Sequence, residues 1–283
     1  MALIEVQDLS FRYRDSTELA LDHVSLAIEP GEFVGIIGST GAGKSTLCWA
    51  IVGVVPQIMR GGYGGTVTVK GLVSKTTPIS TITQAVGLVQ QDAEAQLLMT
   101  DVEKEIIFPL ENLGLSREEI RKRLDYVLDI TNLHSNRLRH PFYLSGGQKQ
   151  RVAVAAALAM EPEILILDEA TSELDPLGAE EIHNLAGSLK RQGKTILMVE
   201  HNIDELAKHA DRIVVLHKGK KVRDGDTKSV LSDVEFLIDL GIYPPQVTQV
   251  AYELKARGYP LSTALPLTLQ DTLHTLAELG VKV

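Results

Sequence analysis

The run Gly38-Ser39-Thr40-Gly41-Ala42-Gly43-Lys44-Ser45-Thr46 has the residue types and the spacing of a phosphate cradle, G-x-x-x-x-G-K-[ST]. Its glycines admit positive φ and let backbone N–H groups approach an anion without a Cβ in the way. A helix that begins at the lysine adds the positive end of its dipole, about half an elementary charge. Lys44 is then the residue to reach the β- and γ-phosphates, and the Ser45 hydroxyl takes a Mg²⁺ position. A second chemistry-bearing pair is Asp168-Glu169, at the end of the apolar run Ile164-Leu165-Ile166-Leu167. Ligands of open α/β sheets bind outside the carboxyl ends of strands. Asp168 is therefore placed to hold Mg²⁺ through water beside Ser45. Pleat alternation sends Glu169 to the other side of the strand, as a candidate for polarising an attacking water. Taken alone, the two acids fit a solvated loop opening equally well. The phosphate cradle on the same chain favours the catalytic reading.

The elements that position these groups are written in the hydrophobic pattern. Ile4, Val6, Leu9, Phe11 and Tyr13, then Val24, Leu26 and Ile28, alternate with period two and predict half-buried strands of an antiparallel sheet. Thr66-Val67-Thr68-Val69 predicts another strand of that layer. After the Pro30-Gly31 turn, Phe33-Val34-Gly35-Ile36-Ile37 is nearly all apolar and fits a strand buried on both faces of a parallel sheet. Ile164–Leu167 and Thr195–Val199 read the same way, and Ile213–Leu216 with Lys218-Gly219 starts a late hairpin. Between about 92 and 160 the pattern is helical. Ile120, Leu124, Val127 and Leu128 form one stripe after Ser116, a plausible N-cap with Glu119 completing a capping box. A helix is expected at about 177–192. These alternations predict an α/β core with a parallel sheet and a helical insertion between its first and second core strands. Two or three helical segments follow residue 225, separated by Tyr243-Pro244-Pro245 and Gly258-Tyr259-Pro260. They fit a packing appendage, or a region for dimerisation or for binding a partner.

Composition narrows the function. The 283 residues carry 28 Lys and Arg against 37 Asp and Glu, a net charge of −9, which disfavours a general nucleic-acid binder. The single cysteine, Cys48, excludes an intrachain disulfide and a cysteine zinc site. It reads as a packing residue of the helix after the cradle. The longest strongly apolar stretch, Val152–Met160, is far shorter than the ~20 residues that cross a bilayer, and the first residues lack the pattern of a signal peptide. The expectation is a soluble, cytoplasmic chain that serves any membrane from outside the bilayer.

Leu144-Ser145-Gly146-Gly147-Gln148, followed by Lys149-Gln150-Arg151, supplies the most specific motif. Ser145 is a natural N-cap, and Gly146 and Gly147 leave N–H groups bare for an anion. A phosphate cradle, an LSGGQ and an Asp-Glu strand in this order resemble the ATP-binding cassette superfamily, over about residues 3–225. The fold that this resemblance implies is α/β. It has a RecA-like parallel-sheet core, an antiparallel β subdomain, an inserted α-helical signature subdomain at about 92–160 and a small helical tail. The nucleotide-binding domain would span 1–225 and the tail 226–283. The resemblance further implies that Tyr13 stacks on adenine and that Gln91, with Gln90 adjacent, contacts Mg²⁺ or the attacking water. It implies a D-loop at Ser172–Asp175 and a γ-phosphate contact from His201. The cofactors implied are ATP and Mg²⁺. The partner implied is a second cassette subunit, a copy or a paralogue, in a head-to-tail dimer where the signature Ser145–Gln148 of one chain closes over the ATP of the other.

Within the superfamily, the stretch from Val89 to Gln96 with Asp101–Ile106, and the tail from Leu240-Gly241-Ile242 through Thr268, resemble the energy-coupling factor ATPases that serve importers of vitamins and transition-metal ions. Asp92-Ala93 departs from the Asn-Pro usual there. This likeness implies a transmembrane coupling protein, a substrate-binding membrane protein, no nucleic-acid partner, and a peripheral place on the cytoplasmic face of the membrane. Asp92 and Glu94 would be acids able to pair with an arginine of the coupling protein.

Overall fold

The computed structural model describes residues 2–259, 261 and 265–278. Two sheets form the body. The first has the strand order β2-β1-β4-β5 and is antiparallel throughout: β1 (Ile4–Tyr13), β2 (Leu21–Ile28), β4 (Gly61–Val69) and β5 (Leu72–Val73). The second has the order β10-β9-β3-β8-β7-β6. Its strands are β3 (Phe33–Ile37), β6 (Val86–Val89), β7 (Ile164–Asp168), β8 (Thr195–Val199), β9 (Arg212–His217) and β10 (Lys220–Asp226). All its neighbours are parallel except the β9–β10 hairpin. The helices in chain order are α1 (Lys44–Val52), α2 (Val54–Gln57), α3 (Ile79–Ile82), α4 (Val102–Asn112), α5 (Arg117–Ile130), α6 (Gly146–Ala159), α7 (Pro176–Arg191), α8 (Ile203–His209), α9 (Thr227–Leu231), α10 (Val234–Asp239), α11 (Gln246–Ala256) and α12 (Leu269–Glu278).

The continuous apolar runs are explained by a sheet covered on both faces. Phe33, Ile37, Leu165, Leu167, Ile196, Met198, Ile213 and Val215 belong to one buried cluster with the helices α4 to α7. Val34, Ile36, Ile164, Ile166, Leu197, Val199, Val214 and Leu216 belong to a second, with α1 and the antiparallel sheet. Alternate residues of each core strand thus enter opposite cores, and each fully buried side chain contributes roughly 1.5–3 kcal/mol.

Three expectations are corrected. The helical insertion lies between the second and third core strands in the chain, because Val86–Val89 is itself a core strand, paired with β7. Four residues with a glycine at the second place leave too little pattern to read. Gly87 is required by packing, since a Cβ there would meet Pro162 Cγ at 3.2 Å and Ala157 Cβ, on α6, at 3.3 Å. Ser116 does cap α5 through Glu119 N, but the Glu119 carboxylate turns to Arg123 Nε at 2.8 Å rather than closing a capping box. The tail holds four helices among the described residues, because two short ones, α9 and α10, precede Tyr243. Its first part is continuous with the body: Val230, Leu231, Leu237 and Ile242 lie in the same cluster as the core sheet. Pro260 and residues 279–283 lie outside the described residues.

Candidate active site

The cradle fills the turn between β3 and α1 at the carboxyl edge of the parallel sheet. Gly43 is the N-cap of α1 with φ +102°, and a Cβ there would stand 2.4 Å from Ala20 O. Only glycine fits this position. No acidic residue lies in the first turn of α1, so the helix N-terminus keeps its positive potential for an anion. Lys44 is nearly buried, 5% exposed. Its Nζ donates to Gly38 O at 3.1 Å and to Ser39 O at 3.3 Å, and lies 3.3 Å from Glu169 Oε1. Thr46, the residue after the motif, is held at 2.9 Å by the Tyr13 hydroxyl, and the Tyr13 ring stands edge-on to Phe11 with centroids 4.9 Å apart.

Across from the cradle, Ser45 Oγ donates to Asp168 Oδ1 at 3.1 Å. Asp168 is buried, and burial pushes its carboxyl up to about 6 against the opposing hydrogen bond from Ser45. Glu169 reaches the site by a different route from pleat alternation. It sits just past the end of β7 with φ +53°, outside extended geometry, and its N–H donates to Val199 O. That backbone turn brings Glu169 Oε1 2.9 Å from His201 Nε2 as well as toward Lys44. Lys44, Asp168, Glu169 and His201 are thereby brought together with Ser45, from three separate stretches of chain.

Other expected residues stand farther out. The register Val89↔Leu167 places Gln91 just beyond the level of Asp168, on the neighbouring strand end, with its side chain exposed. The backbone of Gln90 is tied instead: its N–H donates to Gln96 Oε1, and its carbonyl accepts from Gln150 Nε2 on α6. Asp175 caps α7, accepting from Gly178 N at 2.7 Å. Ser145 and Gln148 form the reciprocal capping box of α6. Gly146 is exposed, and a Cβ on Gly147 would meet nothing within 4 Å. Among the described residues, no hydrogen bond or ion pair joins Ser145–Gln148 to the cradle. The signature thus faces outward in its own chain. Asp92 and Glu94 are committed within the chain: Asp92 Oδ1 accepts from Ala95 N, and Glu94 is ion-paired with Lys149. The buried Cys48 thiol is pushed well up by its surroundings.

Sequence reasoning missed two neighbours of the site. Glu200 and Thr171 are buried beside it, and the only sequence signal is a charged residue directly before His201 at the end of an apolar strand. The approach of the tail to the site was missed as well. Gly241, Ile242 and Tyr243 line a cavity of about 410 Å³ together with Ser39, Thr40 and His201. Gln246 N, at the start of α11, donates to Asp204 Oδ1 on α8 at 3.0 Å.

A family model described as ABC transporter matches residues 21–172. A putative ABC transporter ATP-binding protein of Pyrococcus horikoshii is 46% identical over 259 residues, 91% of this chain and 91% of that one. The chain belongs to the ABC transporter family. As an ABC ATPase it also resembles the energy-coupling factor transporter ATP-binding protein EcfA2 of Clostridium tetani, at 41% identity over 92% of this chain and 91% of the relative. Among solved structures, cbiO1 of Clostridium perfringens, described as part of the ABC transporter complex cbiONQ, superposes with a TM-score of 0.75. It is 30% identical, covering 90% of this chain and 99% of that one. The dimeric post-hydrolysis structure of an ATP-binding cassette bound to ADP and Pi gives a TM-score of 0.68 at 30% identity, over 79% and 98%. No helix of this ABC ATPase, among the described residues, is long and apolar enough to cross a membrane.

Proposed function

We propose that this ABC ATPase is the ATP-hydrolysing subunit of an energy-coupling factor importer whose cargo is a vitamin or a transition-metal ion. One observation carries the hydrolytic reading: Glu169 lies against both Lys44 and His201, beside the Ser45–Asp168 pair. The relatives named as energy-coupling factor subunits support the branch.

The donor set fits Mg²⁺. A serine hydroxyl and a carboxylate are hard oxygen ligands, and a buried carboxyl held up at about 6 is one whose charge a cation would restore. When bound, Mg²⁺ would neutralise charge on the β- and γ-phosphates. The rest is done by side chains of this chain. The cradle N–H groups and Lys44 bind the polyphosphate, and Tyr13 stands at the adenine end. Glu169 orients water for in-line attack and takes its proton. Gln91 would contact the metal or the water. His201 supports the charge that develops on the γ-phosphate. The outward-facing signature, Ser145 to Gln148, closes over the ATP of a second subunit, and Asp175 with its loop crosses between them. Closing and opening of that dimer moves the membrane partner.

The face offered to the partner is a cavity of about 310 Å³ between β6 and the helical subdomain, lined by Leu97, Leu98, Phe108, Pro109, Ala157 and Met160. Leu98 and Phe108 are exposed. With Glu94 and Asp92 already bonded within the chain, apolar contact is the larger attraction at this groove.

The test is to tag the Glu169→Gln variant and solubilise native membranes with ATP present. Co-purification of a coupling protein and a small substrate-binding membrane protein is the expected outcome. Recovery of a different permease overturns the branch, and recovery of no membrane protein overturns the transport reading. In solution the same variant binds ATP but turns over at least ~10²-fold slower, measured by phosphate release. Near-normal turnover removes Glu169 from its role.

A further inference from the structure

Beneath the site lies a buried polar knot that the mechanism does not use. Glu200, only 3% exposed, accepts from Thr171 Oγ1 at 2.5 Å. The backbone N–H groups of His201 and Asn202 favour the charged form of the same carboxyl. His183, fully buried on α7, places its Nε2 3.7 Å away, too far for a hydrogen bond, and neither ring nitrogen has a partner among the described residues. The carboxyl thus sits nearly buried at the edge of the cavity beside Ser39 and His201, with Thr171 as its one side-chain hydrogen-bond partner among the described residues. Its chain neighbours define what it does. Thr171 is two residues after Glu169, at the start of the loop leading to Asp175, and Glu200 directly precedes His201.

We propose that Glu200 is the positioning residue of His201: through its bond to Thr171 it ties the loop carrying His201 to the loop carrying Glu169, and so fixes the 2.9 Å contact between them. The proposal rests on the reading that Glu169 and His201 act together on the γ-phosphate. Glu200 itself faces Thr171 and the backbone rather than the reacting atoms. Loosening it loosens the imbalance-sensitive geometry of attack, where small misplacements are expensive, and leaves the phosphate cradle in place.

The test compares ATP hydrolysis and ATP binding by the full chain carrying Thr171→Val, Thr171→Ser, Glu200→Ala or Glu200→Gln. Thr171→Val is nearly isosteric and removes only the hydroxyl, so it reports even where Glu200→Ala fails to fold. Expected for Thr171→Val and for folded Glu200→Ala is a fall in kcat of tenfold or more, with KM for ATP within about twofold. Thr171→Ser and Glu200→Gln, which keep the bond, recover most of kcat. The ¹⁵N signals of the His201 imidazole move with the loss and return with the rescue. A kcat within twofold of wild type in Thr171→Val, or a loss that Thr171→Ser does not recover, overturns the positioning role while leaving the hydrolytic reading intact. A wild-type chain that binds ATP and never hydrolyses it, alone or with its membrane partners, overturns both.

Discussion

An ammonium 3.3 Å from a carboxylate pairs with its charge. In this ABC ATPase that carboxylate is Glu169, and the ammonium is Lys44, whose other contacts are carbonyls of the cradle. In the proposed mechanism, phosphates bound in the cradle compete for the same ammonium and draw it away from Glu169. His201 at 2.9 Å then remains as its neighbour. Such arrangements are easily confused with structural ion pairs, and the difference shows in what is buried nearby. His183 is the contrasting case. Burial holds its imidazole down at about 4, with Glu205 pulling the other way and His209 and Lys208 adding to the effect. Since the ordinary histidine value is 6.5, the unfolded chain binds a proton between those values that the folded chain does not. Stability from this group is therefore present above pH 6.5 and is lost as pH falls toward 4. His183→Leu removes that term without uncovering a partner. Between pH 7.5 and pH 5 the variant is expected to lose ~2 kcal/mol less stability than wild type, read by denaturant titration at the two pH values. Glu200, pushed up to about 7 by its burial, slopes the opposite way below pH 7 and is present in both chains. Equal losses would show that His183 takes up its proton without unfolding.

At the scale of elements, α6 carries two demands at one end. Its N-terminus is capped by Ser145 and Gln148, and the same N-terminus is the part proposed to meet a partner's phosphate. The two demands separate by substitution. Ser145→Ala removes the cap and is expected to cost ~1 kcal/mol of stability. Ser145→Asp retains a good cap, so its stability stays close to wild type. It also sets a negative charge where an anion would dock, so its ATPase activity falls further than that of Ser145→Ala. Thermal melts with phosphate-release rates check both halves, and an active Ser145→Asp chain would sink the docking role of the helix end. Much of this was legible in the residues. The cradle, the signature and the apolar strands β3, β7 and β8 each carry their own local pattern, and the structure places them as that pattern demands. What could not be read were features set by distant partners. β6 is four residues long and owes its existence to pairing with β7 and to α6 pressing on Gly87. Glu119 chose Arg123 over its own helix cap. Glu169 faces Lys44 because of a positive φ that no alternation rule contains. Glu200 looked like one more charge, and only its burial beside Thr171 distinguishes it.

For the whole molecule, the question is what joins the tail to the cassette. α9 and α10 share the core of the parallel sheet, and α11 packs through Ala251 with Val234 of α10 and with Leu265 in a small second cluster. The link between them, Gly241 to Tyr243, lines the cavity beside Ser39 and His201, and Gln246 N is bonded to Asp204 on α8. The tail is thus fastened at both the core of the parallel sheet and the helix that follows His201. Beyond those fastenings it presents Val250 and Leu269 to solvent, apolar side chains of the kind that a partner covers. We propose that these residues add contact to the ATP-closed dimer that does not depend on the nucleotide. Ending the chain after Tyr243 leaves α9, α10 and the cavity wall in place. In a Glu169→Gln background the shortened chain is expected to keep its far-ultraviolet dichroism and its ATP binding. Its ATP-driven dimer, measured by sedimentation across a concentration series, should dissociate at least tenfold more readily, a loss of ~1.4 kcal/mol. A dimer constant unchanged by the truncation would leave the tail as packing alone, and the apolar display would then have to be covered by something other than a second copy of this cassette.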